Sequence, residues 1–88
     1  MSEGQPITCP CCGYKTITTE FDICEICGWE HNFYQEDNSE DDGGPNAVSF
    51  REAQQNFARF GAKSEVSLKH SRKPTHEDVR DPHWKPIV

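Results

Sequence analysis

Two copies of one short pattern constrain this chain more than any other feature: Cys9-Pro10-Cys11-Cys12-Gly13-Tyr14 and Cys24-Glu25-Ile26-Cys27-Gly28-Trp29 both read C-x-x-C-G-aromatic. Two cysteines of one such tight turn present their thiolates to a single point, and two such turns complete the tetrahedral shell that zinc favours. Glycine after the second cysteine suits a left-handed backbone position and lets the turn aim amide N–H groups at sulfur. The paired spacing therefore predicts one Zn2+ held by Cys9, Cys12, Cys24 and Cys27. Four thiolates leave the metal no open position for water or substrate, so the predicted site is structural and the chain is not read as an enzyme.

Composition explains why a metal is needed. Of 88 residues only 15 are Leu, Ile, Val or Phe, a supply so thin that a charged chain of this length stays disordered unless disulfides, a metal or a partner staple it. Structural zinc sites bind with apparent energies of about 10–16 kcal/mol, enough to offset the missing burial. The opening Met1-Ser2-Glu3-Gly4-Gln5-Pro6 has an acid where a secretory signal has bases and no apolar stretch behind it. The expectation is a cytoplasmic protein in a reducing compartment, where disulfides are disfavoured. No run approaches the ~20 apolar residues of a membrane span.

The fifth cysteine, Cys11, lies between the ligands of the first turn. Three roles are open to it: replacing Cys9 or Cys12, serving as a redox thiol, or filling the variable slot of the turn. Iron is the alternative metal, because a tetrathiolate site also suits an electron-carrying centre. Rubredoxins display C-x-x-C-G twice with their pairs much further apart, whereas eleven residues separate Cys12 from Cys24. Of His31, His70, His76 and His83, only His31 is close enough in sequence to a cysteine turn to replace a ligand; otherwise they read as solvent-exposed imidazoles.

Beyond the cysteines the chain divides by charge. Residues 1–50 carry ten acids against one base, Lys15, and residues 51–88 carry eight bases against five acids. Tyr14 to Thr19 is β-branched and partly alternating, and Phe21 and Ile23 continue the period of two, which predicts a β-hairpin joining the two turns. Residues 35–46 contain no apolar side chain and end in turn formers, so they are expected to form an exposed acidic loop. An EF-hand register from Asp37 fails, with Asp42 where glycine is required and Val48 where glutamate is required.

A helix is predicted over residues 50–60. Ser49 and Glu52 form a capping box, Val48 and Ala53 a staple, and Gly61 follows the last periodic residue. Phe50, Ala53, Phe57 and Phe60 share its apolar face, which should pack on the cysteine module. Val66 and Leu68 suit a strand or a short turn, and Pro74, Pro82 and Pro86 give an extended tail over 75–88 unless something ties it down.

Cys9-Pro10-Cys11-Cys12-Gly13-Tyr14, Ile23-Cys24, Ile26-Cys27, Trp29-Glu30, Asn46, Val48-Ser49-Phe50, Glu52-Ala53, Phe60-Gly61-Ala62 and Arg72-Lys73-Pro74, in that order, resemble the bacterial cysteine-rich CPCC domain family. The resemblance spans about residues 9 to 74 and leaves 75–88 unmatched. It implies a compact zinc-ribbon-like fold and assigns no activity. The expected fold class is a small metal-stapled α+β domain over 1–74: a zinc-ribbon-like β-hairpin module with two C-x-x-C-G knuckles plus one packed α-helix.

The residues offer no nucleophile and base pair, no phosphate loop and no open metal position. The expected function is thus a structural-zinc protein acting through protein–protein binding. The acidic loop Glu36 to Asp42 would face a basic partner, with Phe33, Tyr34 or Trp84 as aromatic anchors. An immunity protein that neutralises a toxin is one form of this role. The alternative is zinc-ribbon nucleic-acid binding through Lys69, His70, Arg72 and Lys73, with Arg59 and Lys63, which the net charge of −6 opposes. A thiol redox or iron electron-transfer protein is third.

Overall fold

The computed structural model describes residues 6–87; residues 1–5, which entered the compartment reading, lie outside the described residues. In chain order the elements are β1 (Ile7–Thr8), β2 (Lys15–Ile17), α1 (Phe33–Asp37), α2 (Phe50–Phe60) and a 3-10 turn, Val66–His70. β1 and β2 form a two-stranded antiparallel sheet, with Ile7 opposite Ile17, Thr8 opposite Lys15 and an irregularity between the two pairs.

This hairpin differs from the expected one. The pattern over Tyr14 to Ile23 predicts strands that pair with each other across the gap between the cysteine turns. Instead each turn pairs its own flanks: β1 with β2 around the first, and Ile23 with Glu30 around the second. A C-x-x-C-G turn reverses the chain, so the nearest available partners are the residues on either side of it. Between the two units Asp22 accepts hydrogen bonds from the Thr18 N–H and hydroxyl, both at 2.9 Å. That local turn ends the alternation after Ile17.

α2 begins and ends where expected. Ser49 is the N-cap and its hydroxyl accepts from the Glu52 N–H at 3.1 Å; Gly61, at φ +93°, donates its N–H to the Phe57 carbonyl. Phe50 and Ala53 are buried, Phe57 packs against them, and the Phe50 ring lies 5.2 Å from that of Trp29. The core so formed is Ile17, Ile26, Trp29, Phe50 and Ala53 around all five cysteines. Half of this core is cysteine, small side chains that bury little apolar area each, so whatever holds the sulfurs together also holds the core.

The acidic segment is not a plain loop. It opens with α1, whose N-cap Asn32 accepts from the Gln35 N–H. Gln35 and Asn46 are buried and fully partnered: Gln35 donates to the Asp41 and Val48 carbonyls, and Asn46 donates to the Gln35 side chain and the Glu30 carbonyl. These bonds fix both ends of the segment. Val66 and Leu68 fall in the 3-10 turn rather than a strand.

Residues 75–87 have little regular structure, yet they are tied down. Arg80 bridges Tyr14, the Lys15 N–H donates to the Val79 carbonyl and the Asp81 N–H to that of Gly13, so the tail lines the outer edge of the first turn. Trp84 lies against Gly13 and donates its indole N–H to the Pro10 carbonyl at 2.8 Å; Gln54 of α2 donates to the same oxygen and accepts from the Ile87 N–H. No helix among the described residues is long and apolar enough to cross a membrane.

Candidate metal centre

Both cysteine turns are built from the same two backbone bonds. The Cys9 N–H donates to the Tyr14 carbonyl and the Gly13 N–H to that of Cys9; the Cys24 N–H donates to Trp29 and the Gly28 N–H to Cys24, all at 2.8–2.9 Å. Gly13 and Gly28 both have φ +85°, a conformation that costs other residues and explains why glycine stands at each site. Repetition of one turn geometry aims two pairs of sulfurs at a common point.

The Sγ atoms of Cys9, Cys12, Cys24 and Cys27 all lie within 4.8 Å of one another and all four residues are buried. Cys9 and Cys27 sulfurs are 3.6 Å apart, Cys12 and Cys24 sulfurs 3.7 Å. A tetrahedron with metal–sulfur bonds of about 2.3 Å has edges of about 3.8 Å, so these separations fit a metal and are far too long for disulfides. All five cysteines are free thiols. The set satisfies the donor chemistry of a divalent tetrathiolate site, and the four residues expected from the spacing are the four brought together.

Hydrogen bonds support the sulfurs from outside. The Thr16 hydroxyl donates to Cys24 Sγ at 3.0 Å, the Ile26 N–H approaches the same sulfur at 3.4 Å, and the Trp29 N–H approaches Cys27 Sγ at 3.5 Å. Such outer contacts orient ligands and disperse thiolate charge. Thr16 escapes notice in the sequence; the signal for it is its place on β2, on the chain between the two cysteine turns.

Hydrogen bonds from Cys12, Cys27 and Cys9, with that from Thr16, hold the Cys24 thiol far below its ordinary range. Cys9 is pushed up, first by Cys12, and Cys27 is pushed up, first by Cys11. Four buried thiols this close together cannot all ionise without a cation in their midst. Lys63 is the approaching base: its N–H donates to the Cys27 carbonyl, its ammonium to Asn46, and burial lowers its pKa against the pull of Cys27 and Glu30.

Cys11 is fully buried and outside the group of four. His31 is not a surface imidazole: it is buried, and its Nδ1 lies 2.8 Å from Glu36 Oε2. That oxygen also accepts from the Trp29 indole at 2.9 Å and the Asn32 N–H at 3.0 Å. Glu36 is therefore committed to the fold. Glu40 pairs with Arg51 and Asp41 accepts from the Tyr34 hydroxyl. Of the five acids expected to face a partner, Asp37 and Asp42 are exposed with no side-chain bond of this kind.

No curated protein and no solved structure shows significant similarity to the chain. The family profile described as Cysteine-rich CPCC matches residues 7–78, which takes in both cysteine turns, α2 and Asp78, the partner of Arg72. With a match over most of its length, the chain belongs to the cysteine-rich CPCC family.

Proposed function

We propose that the chain is a cytoplasmic structural-zinc protein that works by binding another protein. The observation that carries this is the closed, buried four-sulfur group: a metal held there has no position left for a substrate and serves to hold the core together. Zinc is preferred to iron because of the short interval between the two turns, and Cys11 fills the variable slot of the first.

A basic partner is supported by the net charge of −6, to which a zinc tetrathiolate adds two more negative charges. Neutralisation of a toxin, with acidic groups steering association toward a basic active site, is one form of this role. Nucleic-acid binding draws less support. Arg72 of the proposed basic face is already engaged by Asp78 and Glu25, at 2.6–3.0 Å, and Lys63 is bonded to Asn46.

The test is capture of the tagged, zinc-loaded chain from its own cells at low and high salt. A stoichiometric basic protein released by salt is the expected result. Recovery of nucleic acid in its place, lost on substituting Lys69 and Lys73, contradicts the proposal.

A further inference from the structure

Three large apolar side chains joined by backbone pairing stand in solvent: Phe21 is 60% exposed, Ile23 59% and Phe33 54%. Backbone pairing sets them beside one another. The Phe21 N–H donates to the His31 carbonyl at 2.7 Å, the His31 N–H to that of Asp22 at 2.9 Å, and Ile23 bridges Glu30. The Phe33 ring then meets the His31 ring edge-on at 4.9 Å. Scattered apolar residues on a surface are ordinary; a group gathered by pairing is a mark of an interaction site.

Phe21 supplies a second, independent observation. It occupies the third position of a turn closed by the Asp22 N–H on the Thr19 carbonyl, with φ +72°. Glycine or asparagine is at ease there, and a bulky side chain is an outlier. The exposed ring returns nothing to the core in exchange for that strain. Strained positions that folding does not explain collect at functional sites.

Charge selects the occupant. Between Lys15 and Arg51 the chain has nine acids and no Lys or Arg. Arg72 and Arg51, which reach this half from elsewhere, are paired with Glu25 and Glu40, and Lys63 bonds the uncharged Asn46 amide, so an excess of acids remains. A second copy would bring two acidic faces together, which like-charge repulsion opposes.

Resting on the protein-binding function proposed above, we infer that Phe21, Ile23 and Phe33 form the docking face for a basic protein surface with an apolar socket, Phe21 being its anchor. Such anchors carry most of an interface's binding energy while the acidic surroundings set its rate and selectivity. α1 and the Phe21 turn, rather than the acidic segment by itself, make the contact.

The test is selection of dodecapeptides from a random phage library on the immobilised zinc-loaded chain, followed by titration of the enriched peptides against wild type, Phe21→Asn and Phe33→Ser. Enriched peptides should combine Lys or Arg with aromatic or aliphatic residues, bind at least tenfold more weakly to either variant, and weaken with salt. Phe21→Asn should keep its zinc and melt no lower than wild type, which separates lost binding from lost folding. Peptides whose affinity ignores both substitutions overturn this face while leaving protein binding intact; no enrichment over bare matrix overturns both. Dimerisation of wild type that Phe21→Asn abolishes makes a second copy the occupant and also overturns the inference.

Discussion

Gly13→Ala should damage this protein more than Gly28→Ala, although both glycines have φ +85°. The left-handed conformation alone costs an alanine about 1–2 kcal/mol at either position. The difference lies in what the new methyl meets. At Gly28 it stands 3.1 Å from the Ser67 Cβ, which has to give by a few tenths of an ångström; at Gly13 it stands 2.7 Å from two ring atoms of Trp84. The ring cannot stay, and with it goes the indole bond to the Pro10 carbonyl. Burying a whole Trp is worth about 3–5 kcal/mol by truncation, and Trp84 is part-buried, so its displacement should cost about 2 kcal/mol. Gly13→Ala then totals about 3–4 kcal/mol against about 1–2 kcal/mol for Gly28→Ala. The assay is urea unfolding at a buffered free-zinc concentration, run as a double-mutant cycle with Trp84→Ala. In the Trp84→Ala background Gly13→Ala should cost only its backbone strain, a coupling of about 2 kcal/mol. Additive effects in the cycle would show that the tail does not rest on the first turn.

Serine at Cys9, Cys12, Cys24 or Cys27 should abolish metal retention and unfold the chain, while Cys11→Ser should keep its metal and lose about 1–2 kcal/mol for placing a hydroxyl at a buried site; zinc release and circular dichroism rank the five. Glu36→Gln should lower stability in urea unfolding, because one carboxylate oxygen serves three donors, whereas Asp42→Asn should leave stability within about 0.5 kcal/mol of wild type. The Asp22 carboxyl is held below its ordinary pKa by the Thr18 N–H and hydroxyl, so the folded state binds its proton less readily than the unfolded one. Its contribution is complete above the unfolded value of about 4 and is lost as pH falls below it. Between pH 6 and 3, Asp22→Asn should therefore lose less stability than wild type; equal losses would show that those bonds carry no charge-dependent stability.

The four clustered cysteines and α2 are legible in the sequence for the same reason: their signals are local. Spacing, a following glycine and a capping serine act within one turn and need no knowledge of distant partners. Strand pairing is different. Alternation over Tyr14 to Ile23 marks residues suited to a strand but does not name the partner, and the reversal at Gly13 decides that. α1 is too short for a helical period to register, though Asn32 three residues before Gln35 is a usable cap signal. Gln35, Asn46 and His31 read as surface residues by type and are buried because each finds partners across the acidic segment. The tail hides behind its prolines, and its clearest clue is Trp84, the one Trp, Tyr or Phe between residues 75 and 88.

The central claim is that four sulfurs share one zinc ion, and the zinc-edge X-ray absorption of protein purified without added metal tests it most directly. One equivalent of zinc per chain with a first shell of four sulfurs at about 2.3 Å, and no nitrogen scatterer, is the predicted result. A mixed shell containing imidazole nitrogen, iron in place of zinc, or a folded chain with no metal at all would contradict it.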